Sequence, residues 1–389
     1  MSTSVIPLGW QVTVDNNLLY TYESPYDQNN KYVPEMLLDL ELNKAGQFTF
    51  KIMQDHPRVN DIKILKSEIK VVDERGNLRF LGRPISDSID FYNIHTFVCE
   101  GALAYLNDVI IRPFSAIVSA ANGLEAIKGE LTKIVQFYND YAAPSNRKIR
   151  VGDVTVAQPR HTGAAWSFWS KEYMTAMEYI QTKLINKYGG TLQARSGFDS
   201  DTGEKFIYLD YLADITGTGT QGITFAQNLI DIVTDTNGAS ICTAVIPIGK
   251  DESGNTLTID SIADGAKSET ISKTGDYIYS PDAVSRYGHI SQVVNFDDAT
   301  DADTLLEAAM GYFVLVRTIH SKTTFTAVDL HYATGVDVPS FRVGEVIPIT
   351  SAPHQTIHGF NNTALIRKLN INLLNPAESK LTVETTVTL

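Results

Sequence analysis

Alternating apolar and polar residues near the start of the chain constrain the fold more than any other feature of the sequence. Leucines alternate with acidic residues over residues 36–42, and large apolar residues alternate with polar ones over residues 48–52. An Asn-Lys-Ala-Gly turn at residues 43–46 separates the two runs. A period of two places every apolar side chain on one face of a β-strand, whereas a helix requires a period of 3.6. The pattern therefore predicts an antiparallel hairpin with one buried face and one wet face.

The remainder of the first 105 residues shows further strand signals. Strand-like runs separated by turn residues occupy residues 67–72, 78–81, 85–91 and 95–100. Several short strands at this spacing favour a small antiparallel barrel or sandwich. We therefore predict a first β-barrel domain over residues 1–105.

The apolar spacing then becomes helical. Apolar residues recur at intervals of three and four over residues 124–138, which predicts a helix. A second helix is predicted over residues 171–188, where a glycine pair ends it. A hairpin of residues 191–195 and 206–212 follows. These elements predict an α/β domain over residues 106–215.

A polar, glycine-rich stretch at residues 216–222 marks the best boundary in the chain. Beyond it we predict strands that return to the barrel region over residues 216–258. An α/β or surface unit over residues 259–322 and a second β-barrel domain over residues 323–389 follow. The predicted fold class is α+β and β-rich, with two antiparallel β-barrels and two smaller mixed α/β units.

The charge of the chain argues against one class of function. Lysine and arginine number 32 against 45 aspartates and glutamates, so the net charge is −13. Tight binding of DNA or RNA relies on basic patches, because the phosphate backbone is negative. The composition therefore excludes a protein that coats nucleic acid, although transient passage of DNA past an acidic wall is compatible with it.

The two cysteines, Cys99 and Cys242, are too few for a disulfide scaffold. Both lie in apolar, strand-like contexts, so we predict that they are small buried core residues. The first residues show no basic region followed by an apolar run, and no apolar stretch approaches the ~20 residues that span a bilayer. We expect a soluble protein that is synthesised in a cytoplasm.

Candidate metal ligands among the histidines lack suitable spacing. His354 and His358 have the i, i+4 spacing of a helical zinc pair, but a proline and a glycine bracket them. The other two candidates, His320 and His331, lie in separate strand-like segments. We interpret all four as loop or packing residues and predict no metal site.

Two acidic clusters have simpler explanations than cation binding. The turn at residues 199–204 resembles a calcium loop, but a glutamate stands where an EF-hand needs glycine. The acidic residues 297–303 precede a predicted helix at residues 302–316, whose positive dipole end they complement. Thr300 is the predicted N-cap of that helix.

Signals of catalysis are missing from the sequence. We find no nucleophile elbow, no thiol-protease context around either cysteine and no phosphate-cradling loop. We therefore predict no catalytic or cofactor-binding residues. A glycosidase requires only two suitably placed carboxylates, and 45 acidic residues leave that possibility open.

Trp166, Phe168 and Trp169 place large rings close together in the chain. They cannot all share one helix face, so one of them is a candidate for contact with a partner. Local packing beneath the second helix is the favoured interpretation.

Several short runs follow one another in a characteristic order and spacing over nearly the whole chain. They occupy residues 42–50, 56–57, 65–69, 80–83, 188–192, 285–290, 297–300, 329–330, 343–346 and 374–379. Together they resemble the prophage endopeptidase-tail family, the N-terminal hub part of tail-associated lysozymes (Tal) in phages of Gram-positive bacteria. The resemblance is to a Listeria-type prophage tail protein.

The resemblance implies a structural hub at the distal tail tip of the virion. In that family, two β-barrels per subunit form a homotrimeric ring with pseudo-six-fold symmetry. The implied partners are the distal tail protein ring, the tape measure protein, phage DNA in transit and the host cell envelope. The implied function is to join these tail components and to gate DNA ejection.

The resemblance leaves two further functions open. Many relatives carry a cell-wall hydrolase after the hub, but this chain ends at Leu389, shortly after Asn375-Pro376, and shows no such module. We therefore predict that the chain is not an enzyme. The alternatives are a peptidoglycan hydrolase or endopeptidase site within residues 106–215, and a module that binds host saccharides.

Overall fold

The chain divides into two compact units in the computed structural model. Unit 1 comprises Met1–Asp231, Phe325–Thr350 and Thr363–Val383, and unit 2 comprises Ile232–Thr324, Ser351–Asn362 and Glu384–Leu389. The structure describes residues 9–21, 33–141, 147–158, 161, 163–198, 203–213, 221–239, 241–250, 255–296, 299, 301–318, 320–334, 338–355 and 362–388.

Unit 1 begins with an antiparallel sheet. Its strands are β1 (Gln11–Val14), β2 (Asn17–Thr21), β3 (Glu35–Glu41), β4 (Gln47–Met53), β5 (Ile69–Val72), β6 (Leu78–Ile89) and β7 (Ile94–Gly101). They lie in the order β3-β4-β7-β6-β5-β1-β2, with antiparallel neighbours throughout. The hairpin predicted for residues 36–52 is confirmed as β3 and β4, in which Leu38 pairs with Phe48.

Aromatic rings fill the buried face of this sheet. Phe50 stacks on Phe48 with ring centroids 5.3 Å apart and on Phe97 at 5.2 Å, and all three side chains are buried. The neighbouring residues of β4 are more exposed, as the period of two requires. Because each buried aromatic removes about 150–250 Å² from water, this row of rings stabilises the first sheet strongly.

The middle of unit 1 is mixed. Its strands and helices are β8 (Ile110–Ile111), β9 (Phe114–Ser119), α1 (Gly123–Tyr141), β10 (Ile149–Val154), β11 (Ala165–Ser170), β12 (Met174–Thr175), α2 (Ala176–Tyr179), α3 (Asn186–Tyr188), β13 (Thr191–Phe198) and β14 (Lys205–Leu212). Short 3-10 helices occupy Val59–Asp61 and Ala102–Asn107, and a π-helix at Ile180–Ile185 joins α2 to α3. The helix predicted over residues 124–138 is confirmed as α1, and the hairpin predicted after it as β13 and β14.

The second helical segment is shorter than predicted. It begins at Ala176 and not at residue 171, because Thr175 forms a capping box with Glu178. Thr175 Oγ1 accepts a hydrogen bond from the Glu178 backbone N–H at 3.0 Å. The segment ends at Gly189, whose φ of +71° is the left-handed backbone conformation that favours glycine.

The remaining elements complete unit 1 and form unit 2. They are β15 (Ile223–Thr224), β16 (Leu229–Asn237), β17 (Ala244–Lys250), β18 (Thr256–Leu257), β19 (Gly265–Ala266), β20 (Ser272–Thr274), β21 (Tyr277–Tyr279), α4 (Pro281–Tyr287), β22 (Ser291–Asn295), α5 (Ala302–Val316), β23 (His320–Val328), α6 (Leu330–Thr334), β24 (Val346–Thr350), β25 (Thr363–Asn372) and β26 (Lys380–Thr388). Two more 3-10 helices occupy Ala352–His354 and Pro376–Glu378. The division between the units falls inside β16, β23 and β26.

The sheet of unit 1 contains strands from both ends of the chain. β25 pairs with β3 in antiparallel register, so that Leu369 lies opposite Leu40 and Ile371 opposite Leu38. β24 pairs with β25, and β15 pairs with β24. The predicted α+β, β-rich class is confirmed, while the residue limits of the five predicted domains stay predictions.

Unit 2 combines a sheet of order β18-β17-β21-β20-β19 with the helix α5. Its core brings Leu305, Ala309 and Phe313 of α5 against Val245 and Ile278 of the sheet. None of the helices in the described part of the chain has the length and apolar character that crossing a bilayer would require.

The helix α5 is confirmed, but its predicted cap is wrong. Asp301 is the N-cap, because its Oδ1 accepts a hydrogen bond from the Thr304 backbone N–H at 2.8 Å. Thr304 Oγ1 in turn accepts from the Asp301 N–H at 3.2 Å. An N-cap must directly precede the first helical residue, and Thr300, which lies outside the described residues, is one position too early.

Both cysteines are buried, as predicted. Cys99 lies in β7 and Cys242 directly before β17, and burial raises the pKa of each thiol. Because the thiolate is the reactive form, we expect neither cysteine to react with a thiol reagent at pH 8 in the folded protein. Both should react once denaturant is added, and reaction of either thiol in the folded protein would contradict the prediction.

Candidate assembly surface

The aromatic residues Trp166, Phe168 and Trp169 lie on a strand and not on a helix. β11 pairs with β9, and its alternation directs Trp166 and Phe168 to one face and Trp169 to the other. Phe168 is buried, whereas both tryptophans are half-buried. The packing of Trp166 and Phe168 corresponds to the favoured local-packing interpretation, and the alternative, a partner contact through this cluster, stays a prediction.

A buried carboxylate holds Trp166 in place. Glu130 of α1 is 3% exposed and accepts hydrogen bonds from Trp166 Nε1 at 2.6 Å and from the Tyr179 hydroxyl at 2.9 Å. Buried polar groups are costly unless they are hydrogen-bonded, so both bonds contribute to stability. Glu130 therefore joins α1 to β11 and α2 across the core of the mixed region.

Replacement of Glu130 by alanine should destabilise the protein by about 2 kcal/mol, because two buried donors lose their acceptor. Glu130→Gln retains one acceptor oxygen at the same place. Its free energy of unfolding should therefore lie between those of wild type and Glu130→Ala. Urea unfolding followed by tryptophan fluorescence measures both changes. Equal stability of wild type and Glu130→Ala would contradict this role.

Among the described residues, the two most exposed aromatic side chains lie at the tip of the β6–β7 hairpin. Phe91 is 92% exposed and Tyr92 is 75% exposed, with ring centroids 5.3 Å apart. We call residues 85–94 the arm. In the part of the chain that the structure describes, β7 is the only strand that pairs with residues 85–89. The arm therefore presents both an open strand edge and an apolar tip.

The turn that carries these rings is ordered by its own hydrogen bonds. Asp90 Oδ1 accepts from the backbone N–H groups of Tyr92 at 2.8 Å and Ile94 at 3.0 Å. Asn93 occupies the left-handed region with a φ of +59°, and its N–H donates to the Asp90 carbonyl at 3.1 Å. Asp and Asn favour such turns because their side chains can bond to nearby backbone groups. These hydrogen bonds therefore fix the conformation of the tip before any partner binds.

The base of the arm is anchored by a buried histidine. His95 Nδ1 lies 2.9 Å from Asp87 Oδ2, and His95 Nε2 lies 2.7 Å from Gln54 Oε1. The Gln54 backbone N–H also donates to the Asn93 carbonyl at 3.1 Å. These bonds fix the arm to β4, which limits how far the tip can swing.

A recess of about 300 Å³ lies at the other end of β6 and β7. Its lining includes the half-buried aliphatic side chains of Leu40, Leu42, Ala45, Leu78, Ala194 and Val343. Lys44 and Arg342 are the exposed cationic residues of that lining and we call them its rim, and Glu41 forms a salt bridge with Lys44 at 2.5 Å. The recess thus combines aliphatic and polar lining residues, with two cationic residues and one acidic neighbour at the rim.

Neither the aromatic tip nor the recess is predicted from the sequence. The sequence pattern predicts a strand over residues 85–91 and so makes Phe91 its last residue, although an aromatic pair between Asp90 and Asn93 is unusual for a turn. That pair was a usable signal for the tip. The recess gave no such signal, because it is assembled from segments that are far apart in the sequence.

The histidines do not gather into a metal site. His331 Nε2 lies 2.8 Å from Glu74 Oε1, and His354 Nδ1 lies 2.6 Å from Ser351 Oγ. The side chain of His320 and the whole of His358 lie outside the described residues. Among the described residues, no group of three or more His, Cys, Asp or Glu side chains could hold a metal ion.

Each of the two acidic clusters falls partly outside the described residues. This applies to residues 199–202 of the calcium-like turn and to Asp297 and Asp298 of the second cluster. In the described part of that cluster, Asp301 acts as the helix cap and Asp303 lies in the first turn. Both positions suit the positive end of the helix dipole, as predicted.

Comparison with protein families gives one match. Residues 217–387 match the family model described as prophage endopeptidase tail. Comparison with curated proteins gives no match.

Solved structures share the fold over nearly the whole chain. The tail protein from Neisseria meningitidis MC58 has a TM-score of 0.59 at 11% identity, with 97% of each chain covered. The 43 kDa tail protein of prophage MuSo2 from Shewanella oneidensis has a TM-score of 0.56 at 12% identity, again with 97% of each chain covered. Prophage tail protein gp18 from Listeria monocytogenes EGD-e has a TM-score of 0.52 at 12% identity, with 97% of this chain and 94% of that chain covered.

These findings agree with the order of short runs along the sequence. The family match covers the C-terminal part of the chain, and the structural likeness extends the same fold to the N-terminal part. The resemblance predicted from the sequence is therefore confirmed: residues 217–387 carry the pattern of the prophage endopeptidase tail family, in a chain with the fold of prophage tail proteins.

Proposed function

We propose that this protein is a structural hub at the distal tip of a phage tail. Three copies form a ring that joins the distal tail protein to the tape measure protein and gates the ejection of DNA. The observation that carries the proposal is the likeness to prophage tail proteins over 97% of both chains, which leaves little of this chain for an unrelated module. The protein would then reside in the virion after synthesis in the bacterial host.

The charge of the chain supports a ring around a DNA path. A net charge of −13 per subunit is unfavourable for binding the phosphate backbone. A channel that DNA must traverse quickly benefits from weak attraction to its walls. The acidic composition thus suits passage of DNA and not its retention.

In this proposal the protein catalyses no reaction. It acts as a structural component, through surfaces that bury apolar groups between copies and against neighbouring tail proteins. The exposed aromatic tip and the open strand edge of the arm are features that such contacts would cover.

Mass measurement and an activity assay together test the proposal. Light scattering should give three times the subunit mass of 42.9 kDa, and negative-stain images should show rings with three-fold symmetry. A zymogram on purified cell wall should remain uncleared. A monomer that clears cell wall would overturn the hub in favour of a peptidoglycan hydrolase or endopeptidase. A monomer that decorates host cells would instead favour saccharide binding.

A further inference from the structure

We propose that the Phe91–Tyr92 tip of the arm inserts into the recess of a second copy of this chain. This inference rests on the proposed function, because it names the contact that would close the ring. It assigns a partner to the exposed aromatic pair of the tip and an occupant to the recess.

The tip cannot fill the recess of its own chain. The arm is one end of β6 and β7, and the recess is lined by residues 77–81 and 102–103 at the other end of the same strands. β6 has 12 residues, and a strand rises about 3.3 Å per residue, so roughly 30 Å of strand separates the two features. Because Asp90 and His95 hold the arm in place, the occupant must come from another molecule.

A contact between two different surfaces has a consequence for symmetry. Head-to-tail contacts of this kind form closed rings when the rotation between copies closes, and filaments when it does not. A two-fold dimer would have to form the same contact twice, with each tip in the other copy's recess across the axis. The three-fold ring of the proposed function forms the contact three times head to tail, and the number of copies in the crosslinked species distinguishes the two.

The chemistry of the two surfaces is complementary. The tip offers two aromatic rings, each able to bury about 150–250 Å², and the lining of the recess includes six half-buried aliphatic side chains. Aromatic anchors that enter a preformed pocket are the usual hot spots of protein interfaces. The ordered turn of the tip reduces the entropy that is lost on binding.

The charges around the two surfaces are opposite. Residues 85–94 contain Asp87 and Asp90 and neither lysine nor arginine. The exposed rim of the recess carries Lys44 and Arg342, with Glu41 as its acidic neighbour. Such complementarity favours the correct register and speeds association.

Disulfide trapping tests the contact directly. Because both native cysteines are buried, a cysteine introduced at the surface is the reactive thiol. The double variant Tyr92→Cys with Lys44→Cys should form covalent trimers under mild oxidation, and each single variant should stay uncrosslinked. Tyr173→Cys combined with Lys44→Cys is the matched control, since Tyr173 is an equally exposed tyrosine outside the arm.

A charge placed on the tip gives a second measurement. Phe91→Asp with Tyr92→Asp should leave the circular dichroism spectrum unchanged, because both side chains are exposed in the single chain. The dissociation constant of the trimer should rise at least 100-fold, whereas Tyr173→Asp should leave it unchanged.

The outcomes separate this inference from the proposed function. If wild type is a trimer but the cysteine pair does not crosslink and the charged tip leaves the trimer intact, the proposed tip–recess contact is wrong. The proposed function as a trimeric hub is then retained. If wild type is a monomer at micromolar concentration, alone and with the distal tail protein, both are wrong. Crosslinked species that extend beyond three copies would show a filament and would overturn the closed ring.

Discussion

Replacing Arg83 by methionine is expected to destabilise the protein by about 3 kcal/mol, the lower end of the range for removing one partner of a buried ion pair. The Arg83 side chain is 7% exposed. Its two terminal nitrogens donate to Asp108 Oδ2 at 2.6 Å and Oδ1 at 2.7 Å, and Nε donates to Glu100 Oε1 at 2.7 Å. The effect stays at the lower end because both carboxylates are partly exposed and water can solvate them.

The charge of Arg83 is maintained by these bonds. Burial by itself lowers the pKa of Arg83, but the hydrogen bonds to Asp108 and Glu100 outweigh it and raise the pKa above its ordinary value. The guanidinium also lies over the Tyr105 ring at 4.9 Å. Arg83 thus joins β6 and β7 to the residue that follows the Ala102–Asn107 helix.

Arg83→Lys is the matched variant for this prediction. Lysine keeps the positive charge but lacks the planar fork that binds both oxygens of Asp108, so its stability should fall between wild type and Arg83→Met. Urea unfolding followed by circular dichroism measures the three proteins. If Arg83→Lys were as stable as wild type, the bidentate hydrogen bonds to Asp108 would not contribute to stability. The positive charge alone would then account for the stabilisation.

Gly101→Ala should also destabilise unit 1 by about 3 kcal/mol, at the upper end of the usual effect of overpacking. A Cβ at this position would lie 1.8 Å from the Ala45 carbonyl oxygen, so the backbone itself must move. The Gly101 N–H donates to the Gly46 carbonyl at 3.2 Å, and this bond would be strained as well. Ala45 contributes to the lining of the recess, so the recess should also change shape.

Gly311→Ala is the control for the same chemical change. Gly311 lies in α5 with no atom within 4 Å of an added Cβ, and alanine is the better helix former. We expect it to stabilise the helix by about 0.5–1 kcal/mol. Calorimetry should therefore show opposite shifts for the two variants. A wild-type melting temperature for Gly101→Ala would mean that β7 and the β3–β4 turn separate at little cost.

Local sequence patterns were sufficient for several elements. The alternation over residues 36–52 predicts β3 and β4, and the helical spacing over residues 124–138 predicts α1. Both signals arise because one face of an element is buried while the other is exposed, which any buried element must obey. The glycine pair after α3 was informative for a similar local reason, since its backbone conformation excludes other residues.

Element ends and aromatic clusters were less predictable. The helix predicted from residue 171 begins at Ala176, and the cap predicted at Thr300 is Asp301. The rings of residues 166–169 lie on β11, where Trp166 donates a hydrogen bond to Glu130. In each case a specific hydrogen bond decided between conformations that the local sequence permits almost equally.

The order of residues thus settles which segments are strands or helices and that the chain is acidic and rich in buried β-structure. It does not settle which strands become neighbours. β25 pairs with β3 although hundreds of residues separate them, and the recess needs side chains from several distant segments. Such contacts depend on the packing of complete faces against each other, a property of the folded chain that no short stretch encodes. For the same reason the arm and the recess become recognisable as complementary surfaces only after folding has placed them at opposite ends of β6 and β7.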